Sequence, residues 1–390
     1  MTIAAPPSPS PTAPARPLRR AAKLRVAFFS DAIYGRNGVG FYYKDLVEHL
    51  NDRVERAELF CPGAPTAGAP LVAASMPMPG DKTQRLYWPY RALLEQRFRA
   101  LRPHIAVVAT PAPFGYYGIR LAKRFGVPVC AAFHTDFESL ADIYWNRFTA
   151  APSMKFLEIA HRLLFRPGGI VATMSENMIE QARRCGARDV RIVGTTIEKR
   201  FLDAPLAPLG DRLESVLFAG RLAAEKNITA ILQAAAALPD IRFVLAGDGP
   251  LRSDVENAAR RHPNIDYRGW VAHDDLLGLM DESQMLLLPS HVESFGTVAL
   301  EAMARRRLAL VSENCGILDW PGLGDELHVV HRDEPLADAI RRAADAPPDA
   351  RQARAEASRS AVRGFVDRTL AQWLEIFRDT LRNHRSSTRS

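Results

Sequence analysis

The stretch MLLLPSHVESFGTVALEAMA, Met285–Ala304, decides the fold class of this 390-residue chain. Its first residues, Met285–Pro289, form an apolar run that predicts a buried strand. A loop containing Glu293 follows, and a helix is predicted to begin near Phe295 or Gly296. A strand that is apolar on both faces and leads through a loop into a helix is the repeating unit of parallel sheets covered by helices.

The same unit recurs along the chain. Other short apolar runs that predict strands are Leu24–Ser30, Ile105–Thr110, Val127–Phe133, Gly169–Thr173, Ser215–Gly220, Ile241–Gly247 and Leu308–Ser312. Segments of helical composition separate most of these runs, for example Ile228–Leu238, Ser253–Arg261 and Asp274–Met280. The alternation predicts an α/β protein with doubly wound parallel sheets.

A break at Asp203–Asp211, DAPLAPLGD, divides the chain, because its prolines and glycine interrupt the alternation. We predict a disordered tail over 1–22, a first doubly wound domain over 23–204 and a second over 205–365. Apolar residues at helical spacing predict a last helix over 366–384, which we expect to pack back on the first domain. Ligands of such sheets bind at the carboxyl ends of the strands, so we expect a site in a cleft between the domains.

The composition excludes several classes of protein. The chain is 47% hydrophobic and 24% charged, as in soluble globular proteins, and it has no apolar run near the roughly 20 residues that span a bilayer. Four cysteines without CxxC spacing argue against zinc or a disulfide framework and suit a reducing compartment. The net charge of +7 resides in the ends, because residues 1–25 carry five cations and no acid and residues 382–390 carry three cations. The body is nearly neutral, so we expect no nucleic acid as a partner.

Two glutamates eight residues apart are the strongest chemical signal. The amides of Gly296 and Thr297 are predicted to lie at a helix N-terminus, where unpaired N–H groups and the helix dipole attract phosphate. Glu301, about a turn and a half into that helix, is placed to accept hydrogen bonds from both hydroxyls of a ribose. Glu293 lies in the loop, nearer the ligand's other end. Either glutamate alone has the interpretation of a helix cap or a surface charge.

Cations and glycines follow other predicted strands. Arg221 and Lys226 come after the strand that ends at Gly220, and two cations there suit a diphosphate that leaves with extra negative charge. By themselves they are more typical of a surface loop with a Glu225–Lys226 pair. Gly38 and Gly40 allow the backbone to approach a ligand closely at the start of a helix.

Two further stretches end strands without so clear a signal. The turn AGDGPL, Ala246–Leu251, misses the dinucleotide-binding pattern, and we interpret it as structural. His134 ends the run Val127–Phe133, where a lone histidine is more often packed or solvated than functional. No Asp-x-Asp and no cluster of metal ligands occurs in the sequence, so we expect neither a metal nor another cofactor.

Together these features resemble the retaining glycosyltransferases of family 4, group 1, over about Leu24 to Leu381. The resemblance implies the GT-B fold, with an acceptor-binding first domain and a second domain that binds a nucleotide-diphosphate sugar without metal. It also implies that Glu293 lies near the donor sugar and diphosphate and that Glu301 binds the ribose.

The resemblance assigns the remaining site residues as well. The implied catalytic residues are His134, Glu293, Arg221 and Lys226. The implied donor-binding residues are Gly38, Gly40, Gly220, Trp270, Val271, Phe295, Gly296, Thr297 and Glu301. In this assignment His134 approaches the transferred sugar, the two cations clamp the diphosphate, and Trp270 and Val271 line the pocket of the base.

A narrower resemblance concerns the acceptor. ATPAPFGYYG, Ala109–Gly118, and VPVCAAFHTDFESLADIYW, Val127–Trp145, are similar to a branch with bacterial lipid mannosyltransferases and sulfolipid synthases. That branch uses GDP-mannose or a UDP-sugar, often with a lipid acceptor. Arg306 and Ala309 depart from the family, which usually has Gly and Pro there, and this departure points to a diverged donor or acceptor pocket.

The segment Asp81–Arg102 bears on a lipid acceptor, because it holds six cations and two acids with aromatic residues between them. Cations and interfacial aromatics are typical of a membrane-surface element, and a solvated amphipathic helix is the alternative interpretation. With the lipid-linked resemblance, this segment predicts a cytoplasmic protein that is peripheral on the inner membrane and has an anionic lipid surface as a partner.

Four hypotheses about function follow. The first is a retaining hexosyltransferase that moves a sugar from a UDP- or GDP-sugar to a membrane lipid. The second is the same chemistry on a soluble sugar or metabolite, which vesicle binding would discriminate. A sugar-nucleotide epimerase or hydrolase would turn over donor without acceptor, and a sugar-nucleotide sensor would not turn it over.

Overall fold

The computed structural model describes residues 24–34, 38–64, 70–78, 81–133, 150–166 and 169–387. The strands within these ranges are β1 Arg25–Phe29, β2 Arg56–Phe60, β3 Val72–Met78, β4 Asp81–Pro89, β5 Ile105–Val108, β6 Val129–Phe133, β7 Ile170–Thr173, β8 Asp189–Ile192, β9 Ser215–Ala219, β10 Arg242–Ala246, β11 Ile265–Gly269, β12 Met285–Leu288, β13 Leu308–Ser312 and β14 His328–Val330. The helices are α1 Gly38–Leu50, α2 Arg91–Leu101, α3 Pro113–Arg124, α4 Ala150–Phe165, α5 Glu176–Arg184, α6 Lys199–Asp203, α7 Ile228–Ala237, α8 Arg252–Arg261, α9 His273–Glu282, α10 Thr297–Ala304, α11 Leu336–Ala344 and α12 Pro348–Ser387.

Two parallel six-stranded sheets organise the chain. The first has the strand order β2-β1-β5-β6-β7-β8 and the second has the order β11-β10-β9-β12-β13-β14. In each sheet the chain first adds strands on one side of the first strand, β1 or β9, and then adds the remaining strands on its other side. The strand order therefore reverses between β1 and β5 in the first sheet and between β9 and β12 in the second. This confirms the predicted α/β class with two doubly wound sheets.

Helices on both faces explain the composition of the inner strands. Every residue of β5, IAVV, and of β12, MLLL, is buried. A strand in the middle of a parallel sheet has no solvent face, so each of its side chains contacts either a helix or the strand beside it. The apolar runs of the sequence are therefore the inner strands.

The last helix joins the two sheets. α12 begins near the end of the second sheet and continues for 40 residues to Ser387, so it contains the predicted segment 366–384. Trp373 donates a hydrogen bond to the Tyr42 hydroxyl at 3.0 Å, and the rings of Trp373 and Phe377 lie 6.1 and 6.3 Å from that of Phe28 in β1. The C-terminal helix thus packs against the first sheet.

Two buried arginines hold the connection between the sheets against the second one. Arg305 forms an ion pair with Asp281 at 2.7 Å and donates to the carbonyl of Ala204 at 2.9 Å. Arg307 donates to the carbonyls of Ala207 and Pro208 at 2.7 and 2.9 Å. The Pro-rich stretch belongs to no helix or sheet, so its carbonyl groups lack backbone hydrogen-bond partners. The two guanidinium groups donate the hydrogen bonds that these carbonyls need.

The departures at Arg306 and Ala309 lie away from the expected cleft. Arg306 follows the C-terminal end of α10 in the left-handed conformation, at φ 59°, and its side chain reaches Glu356 of α12 at 3.0 Å. The glycine that is usual here suits the same conformation. Ala309 is buried within β13. The expectation of an altered pocket at these positions stays a prediction.

Candidate functional site

The loops that follow β9 and β12 flank the point where the strand order of the second sheet reverses. Lys226 ends a short 3₁₀ turn after β9, and Glu293 lies in the loop after β12. Their side chains meet with the Lys226 Nζ 2.5 Å from the Glu293 Oε2. The structure thus brings together two predicted site residues that are 67 positions apart in the sequence, at the position where open α/β sheets bind ligands.

The backbone around Glu293 is fixed on both sides. The amide of His291 donates to the carbonyl of Glu225 at 2.8 Å, which ties the loop after β12 to the loop after β9. The amide of Gly316 donates to the carbonyl of Glu293 at 3.0 Å, and Glu293 forms a parallel bridge with Cys315. The carboxylate of Glu293 is therefore held by contacts within the second sheet and its loops.

The helix after this loop begins one residue later than predicted, at Thr297, with Gly296 as its N-cap. Gly296 has φ 92°, and a Cβ atom there would lie 2.8 Å from the Cys315 sulfur and 2.9 Å from Leu288. Only glycine fits this turn, which brings the helix N-terminus close to Glu293. Phe295 is buried, with its ring 5.8 Å from that of Phe365, so only its backbone faces the loop.

The glycines after β9 and β10 hold the cationic loop in place. A Cβ atom on Gly247 would lie 1.8 Å from the carbonyl oxygen of Gly220, and one on Gly249 would lie 2.5 Å from that of Leu222. The turn AGDGPL is structural, as predicted, and its close packing supports the loop that carries Arg221. The Arg221 guanidinium is more than half exposed and lies 3.9 Å from Glu225, so it is available to a ligand.

Glu301 has a different environment from Glu293. It lies on α10, buried with 5% of its surface exposed, and its Oε1 is 3.0 Å from the Nε2 of His273. His273 begins α9 and so comes from the loop after β11. The sequence analysis did not single out this histidine.

The imidazole of His273 is enclosed by groups from three parts of the chain. Its Nδ1 lies 3.1 Å from the Glu198 Oε2 and 3.1 Å from the Arg200 Nη2, and its ring lies 4.6 Å from that of Phe41 and 5.3 Å from that of Phe201. Burial opposes a charge on the ring, but the hydrogen bonds with the Glu198 and Glu301 carboxylates outweigh it and raise the pKa of His273 to about 9.

The first helix completes this cluster. Lys44 of α1 lies 2.8 Å from Glu198 and 3.3 Å from Asp45. Burial favours a neutral Glu198, yet its hydrogen bonds with His273 and Lys44 lower its pKa to about 2. Burial raises the pKa of Asp45 to about 7; Lys44 opposes the shift and the nearby carboxylates of Glu301 and Glu198 add to it. Glu301 is thus linked through charged groups to the first domain.

The remaining predicted residues surround the same carboxyl edges. Trp270 follows β11 with 74% of its surface exposed, and Val271 packs against the core. Gly38 begins α1 after β1, with open space around it, and Gly40, two residues later, is buried. His134 lies outside the described residues. These assignments stay predictions, and the structure adds where each described residue lies.

The described residues form neither a metal site nor a membrane-spanning helix. Within those ranges no group of three or more His, Cys, Asp or Glu side chains is arranged to hold a metal ion. Among the described helices, none combines the length and the apolar character needed to cross a bilayer.

The two halves of the chain match two family descriptions. Residues 36–199 match Glycosyltransferase Family 4, and residues 208–360 match Glycosyl transferases group 1. The chain belongs to glycosyltransferase family 4. The resemblance inferred from the glutamate pair and the strand ends is confirmed.

Relatives of this glycosyltransferase differ in their substrates. Alpha-D-kanosaminyltransferase of Streptomyces kanamyceticus is 34% identical over 60% of this chain and 65% of its own length. A GDP-mannose-dependent alpha-mannosyltransferase of Mycobacterium tuberculosis is 26% identical over 72% of this chain and 77% of its own. The sulfoquinovosyl transferase of Arabidopsis thaliana is 22% identical over 56% of this chain and 44% of its own. The match therefore spans slightly less than two thirds of the kanosaminyltransferase and less than half of the plant enzyme.

Solved structures share the architecture. A sucrose-phosphate synthase from Thermosynechococcus elongatus superposes with a TM-score of 0.66 over 92% of this chain and 99% of its own, at 18% identity. Anabaena HepE, solved in complex with UDP, superposes with a TM-score of 0.61 over 90% of this chain and 100% of its own, at 16% identity. At such identities the likeness concerns the fold alone, and it confirms the GT-B arrangement of two Rossmann-like domains.

The residues that sequence reasoning missed are Lys44, Glu198, Arg200 and His273. They come from three distant segments of the chain, and no motif relates those segments. Glu198 and Arg200 belong to the connection between the sheets, Lys44 lies in the middle of α1, and His273 begins α9. Their proximity is a product of the packing of α1 and α6 against α9.

Proposed function

We propose that this chain transfers a hexose, with retention of anomeric configuration, from a UDP- or GDP-sugar that binds mainly to its second domain. The observation that carries the proposal is the Lys226–Glu293 pair at the switch point of the second sheet, beside the N-terminus of α10. A diphosphate at that point would meet a cation and a helix dipole together.

The leaving group explains why these groups belong together. When the bond between the sugar and the diphosphate breaks, negative charge develops on the departing phosphate oxygens. Lys226, the exposed Arg221 and the amides at the start of α10 are positioned to stabilise that charge without a metal. Glu293 holds Lys226 in place and lies where the sugar ring would sit above the diphosphate.

Glu301 suits the other end of the donor. Its carboxylate is buried one and a half turns into the same helix, so a diphosphate at the helix start would place a ribose near it. Carboxylates bind ribose by accepting hydrogen bonds from the two adjacent hydroxyls. The exposed ring of Trp270, at the end of the outermost strand of this sheet, would then lie toward the base.

Calorimetry with UDP and GDP tests the donor class. We expect one of them to bind the wild type, with its affinity unchanged by EDTA. If neither binds, or if binding requires Mg²⁺, the proposed donor site is wrong. Retention is tested by NMR of the product, where an α-linked product from an α-linked donor is expected and a β-linked product contradicts the proposal.

We further propose that the acceptor is a membrane lipid that the first domain meets at an anionic bilayer surface. Phe156, Ile159 and Leu163 form a stripe on one face of α4 and are 70%, 49% and 52% exposed. Lys155 and Arg162 flank the stripe; both are mostly exposed, and both pair with Glu158, at 3.5 and 2.9 Å. An exposed apolar stripe bordered by polar side chains matches the interface of a bilayer.

We assign the contact to α4 rather than to the segment Asp81–Arg102. That segment is not one amphipathic helix, because it forms β4 and α2. Two of its six cations are paired within the protein, since Arg97 lies 2.5 Å from Glu58 and Arg99 lies 2.7 Å from Glu95. Because the cations of α4 are paired as well, the exposed apolar stripe of α4 carries the assignment.

Vesicle co-sedimentation tests this contact. Wild type is expected to bind vesicles that contain phosphatidylglycerol and not pure phosphatidylcholine, and F156S/I159S/L163S is expected to lose the binding. A matched control replaces two exposed apolar residues elsewhere, Met76 and Phe125, with serine and should bind normally. Equal binding by the α4 variant, or no binding by the wild type even at low salt, contradicts the proposal.

A soluble acceptor is the second candidate, and the name of one relative favours it. That relative is a 2-deoxystreptamine N-acetyl-D-glucosaminyltransferase of Niallia circulans, whose name states transfer to a small polar molecule. Turnover with a short sugar acceptor in the absence of vesicles, and none with lipid extracts, would favour this candidate over the lipid.

A further inference from the structure

We propose that His273 is a positioning residue that orients the Glu301 carboxylate for the ribose of the donor. The inference rests on the proposed function, in which Glu301 binds that ribose. It adds a residue from a different loop, and through it a dependence on the first domain.

The first step is the contact itself. The Nε2 of His273 lies 3.0 Å from one oxygen of Glu301, and the glutamate side chain is 7% exposed. A glutamate has three rotatable bonds, so a free carboxylate would sample several orientations. A donor on one oxygen restricts that sampling and leaves the second oxygen for the ribose hydroxyls.

The second step is that His273 is itself fixed. Its ring lies between Phe41 and Phe201, and its Nδ1 has two partners at 3.1 Å, the carboxylate of Glu198 and the guanidinium of Arg200. A protonated ring has the Glu198 carboxylate as an ion-pair partner 3.1 Å from Nδ1, and a neutral ring accepts there from Arg200. In both forms Nε2 carries a proton and donates to Glu301, so the orientation of the carboxylate does not depend on the charge of the ring.

The third step connects the contact to the first domain. Lys44 binds Glu198 at 2.8 Å, and both Lys44 and Phe41 lie on α1, the helix that starts at Gly38. Glu198 precedes α6 in the connection between the sheets. The sequence of contacts Lys44–Glu198–His273–Glu301 therefore joins the glycine loop of one domain to the ribose-binding carboxylate of the other.

Other roles of His273 predict different effects of its removal on nucleotide affinity. If His273 merely occupied an oxygen that the ribose needs, its removal would tighten nucleotide binding. If it only supported the fold, its removal would weaken the binding of every nucleotide equally, whatever the sugar. The positioning role alone predicts a loss that requires the ribose hydroxyls.

The experiment uses whichever of UDP and GDP binds the wild type more tightly. Calorimetry on the full chain compares the affinity for that nucleotide with the affinity for its 2′,3′-dideoxy form. His273→Leu should weaken the binding of the ribonucleotide about tenfold, the size of one lost hydrogen bond to a charged group, and leave that of the dideoxynucleotide unchanged. His273→Gln, whose amide keeps a donor near the position of Nε2, should restore most of the loss. His262→Leu, at the end of α8, is the matched control and should change neither.

In turnover, His273→Leu should raise the KM for the donor more than it lowers kcat. Equal losses for both nucleotides, tighter binding, or no change overturns the inference. Should the leucine variant fail to fold, His273→Asn takes its place, because its shorter side chain carries a polar group near the position of Nδ1 but cannot reach Glu301. The same selective loss is then expected, and the same outcomes overturn the inference. A wild type that binds both nucleotides equally would instead overturn the proposed ribose role of Glu301, and the inference with it.

Discussion

The two glutamates of the site lie eight residues apart in the sequence, yet they belong to different parts of the molecule. Glu293 is fixed entirely from within the second domain, by Lys226, by the Glu225 carbonyl next to its loop and by Gly316. Glu301 is buried beneath α9 and is linked through His273 to residues of the connection and of the first domain. The difference teaches that the two glutamates of one motif depend on different parts of the fold. In the proposed function Glu293 acts near the diphosphate and depends on the second domain alone, whereas Glu301 depends on the contact between the domains.

Removing the cation beside Glu293 is the strongest way to test that division. Lys226→Met should lower kcat/KM by about 10² to 10³, the cost of losing one preorganised group that stabilises developing charge. Because the lysine acts mainly on the departing diphosphate, most of the loss should appear in kcat. Steady-state kinetics check this, with Lys199→Met as the control, since Lys199 lies in the connection between the sheets and is paired with Asp52. A loss confined to KM would mean that the cation only binds the donor.

The glycine between the glutamates separates the two regions. Gly296→Ala should destabilise the fold by about 2 to 3 kcal/mol, because alanine is strained at φ 92° and its Cβ would collide with Cys315 and Leu288. Gly278→Ala on α9 is the matched control, with open space around the glycine, and should stabilise by about 0.5 to 1 kcal/mol. Urea unfolding measures both, and a neutral result at Gly296 would show that the turn relaxes freely.

The pH dependence of stability should report on the Glu301 region alone. The folded pKa of His273 is raised to about 9 from 6.5, so its stabilising effect is complete below pH 6.5 and is lost as the pH rises to 9. Wild type should therefore lose about 2 kcal/mol more than His273→Gln over that interval. The facing groups Glu198, Glu301, Arg200, Lys44 and Asp45 are common to both proteins, so the difference isolates the histidine. Parallel curves would mean that the ring is neutral throughout.

Neutralising the carboxylates one at a time gives the smallest and most direct test. Glu301→Gln should weaken the binding of the nucleoside diphosphate about tenfold, and Glu293→Gln should hardly change it. The glutamine at 301 keeps the size of the side chain but loses the charge that attracts two hydroxyl donors. Calorimetry with the same nucleotide measures both variants, and the reverse pattern would exchange the two assigned roles.

The inner strands of both sheets were predictable, and the outer ones were not. All eight apolar runs of the sequence are inner strands, whereas β2, β8, β11 and β14 lie at the sheet edges. An edge strand has solvent on one side and so mixes polar with apolar residues, as in RAELF and IDYRG. The ribbon of β3 and β4 was missed for the same reason, and its cations suggested a helix.

The local part of the site was also predictable, because one strand, one loop and one helix carry it. The pairing of Lys226 with Glu293 follows from parallel topology, which brings the ends of neighbouring strands to one edge. His273 and Glu198 had no comparable signal, since their contacts come from three elements whose relative packing no spacing encodes. Arg306 takes the left-handed backbone conformation at the end of α10, and no spacing in the sequence indicates that conformation.

The long helix α12 has a consequence for protein engineering. It follows the second domain in the chain, but its second half, with Trp373 and Phe377, is buried against β1 and α1 of the first. The second half of α12 therefore belongs to the first domain in space although it follows the second domain in the sequence. A chimera that exchanges donor domains by cutting only near residue 205 would pair a foreign helix with this surface, whereas a second cut between Glu356 and Phe365 would return the native residues to it.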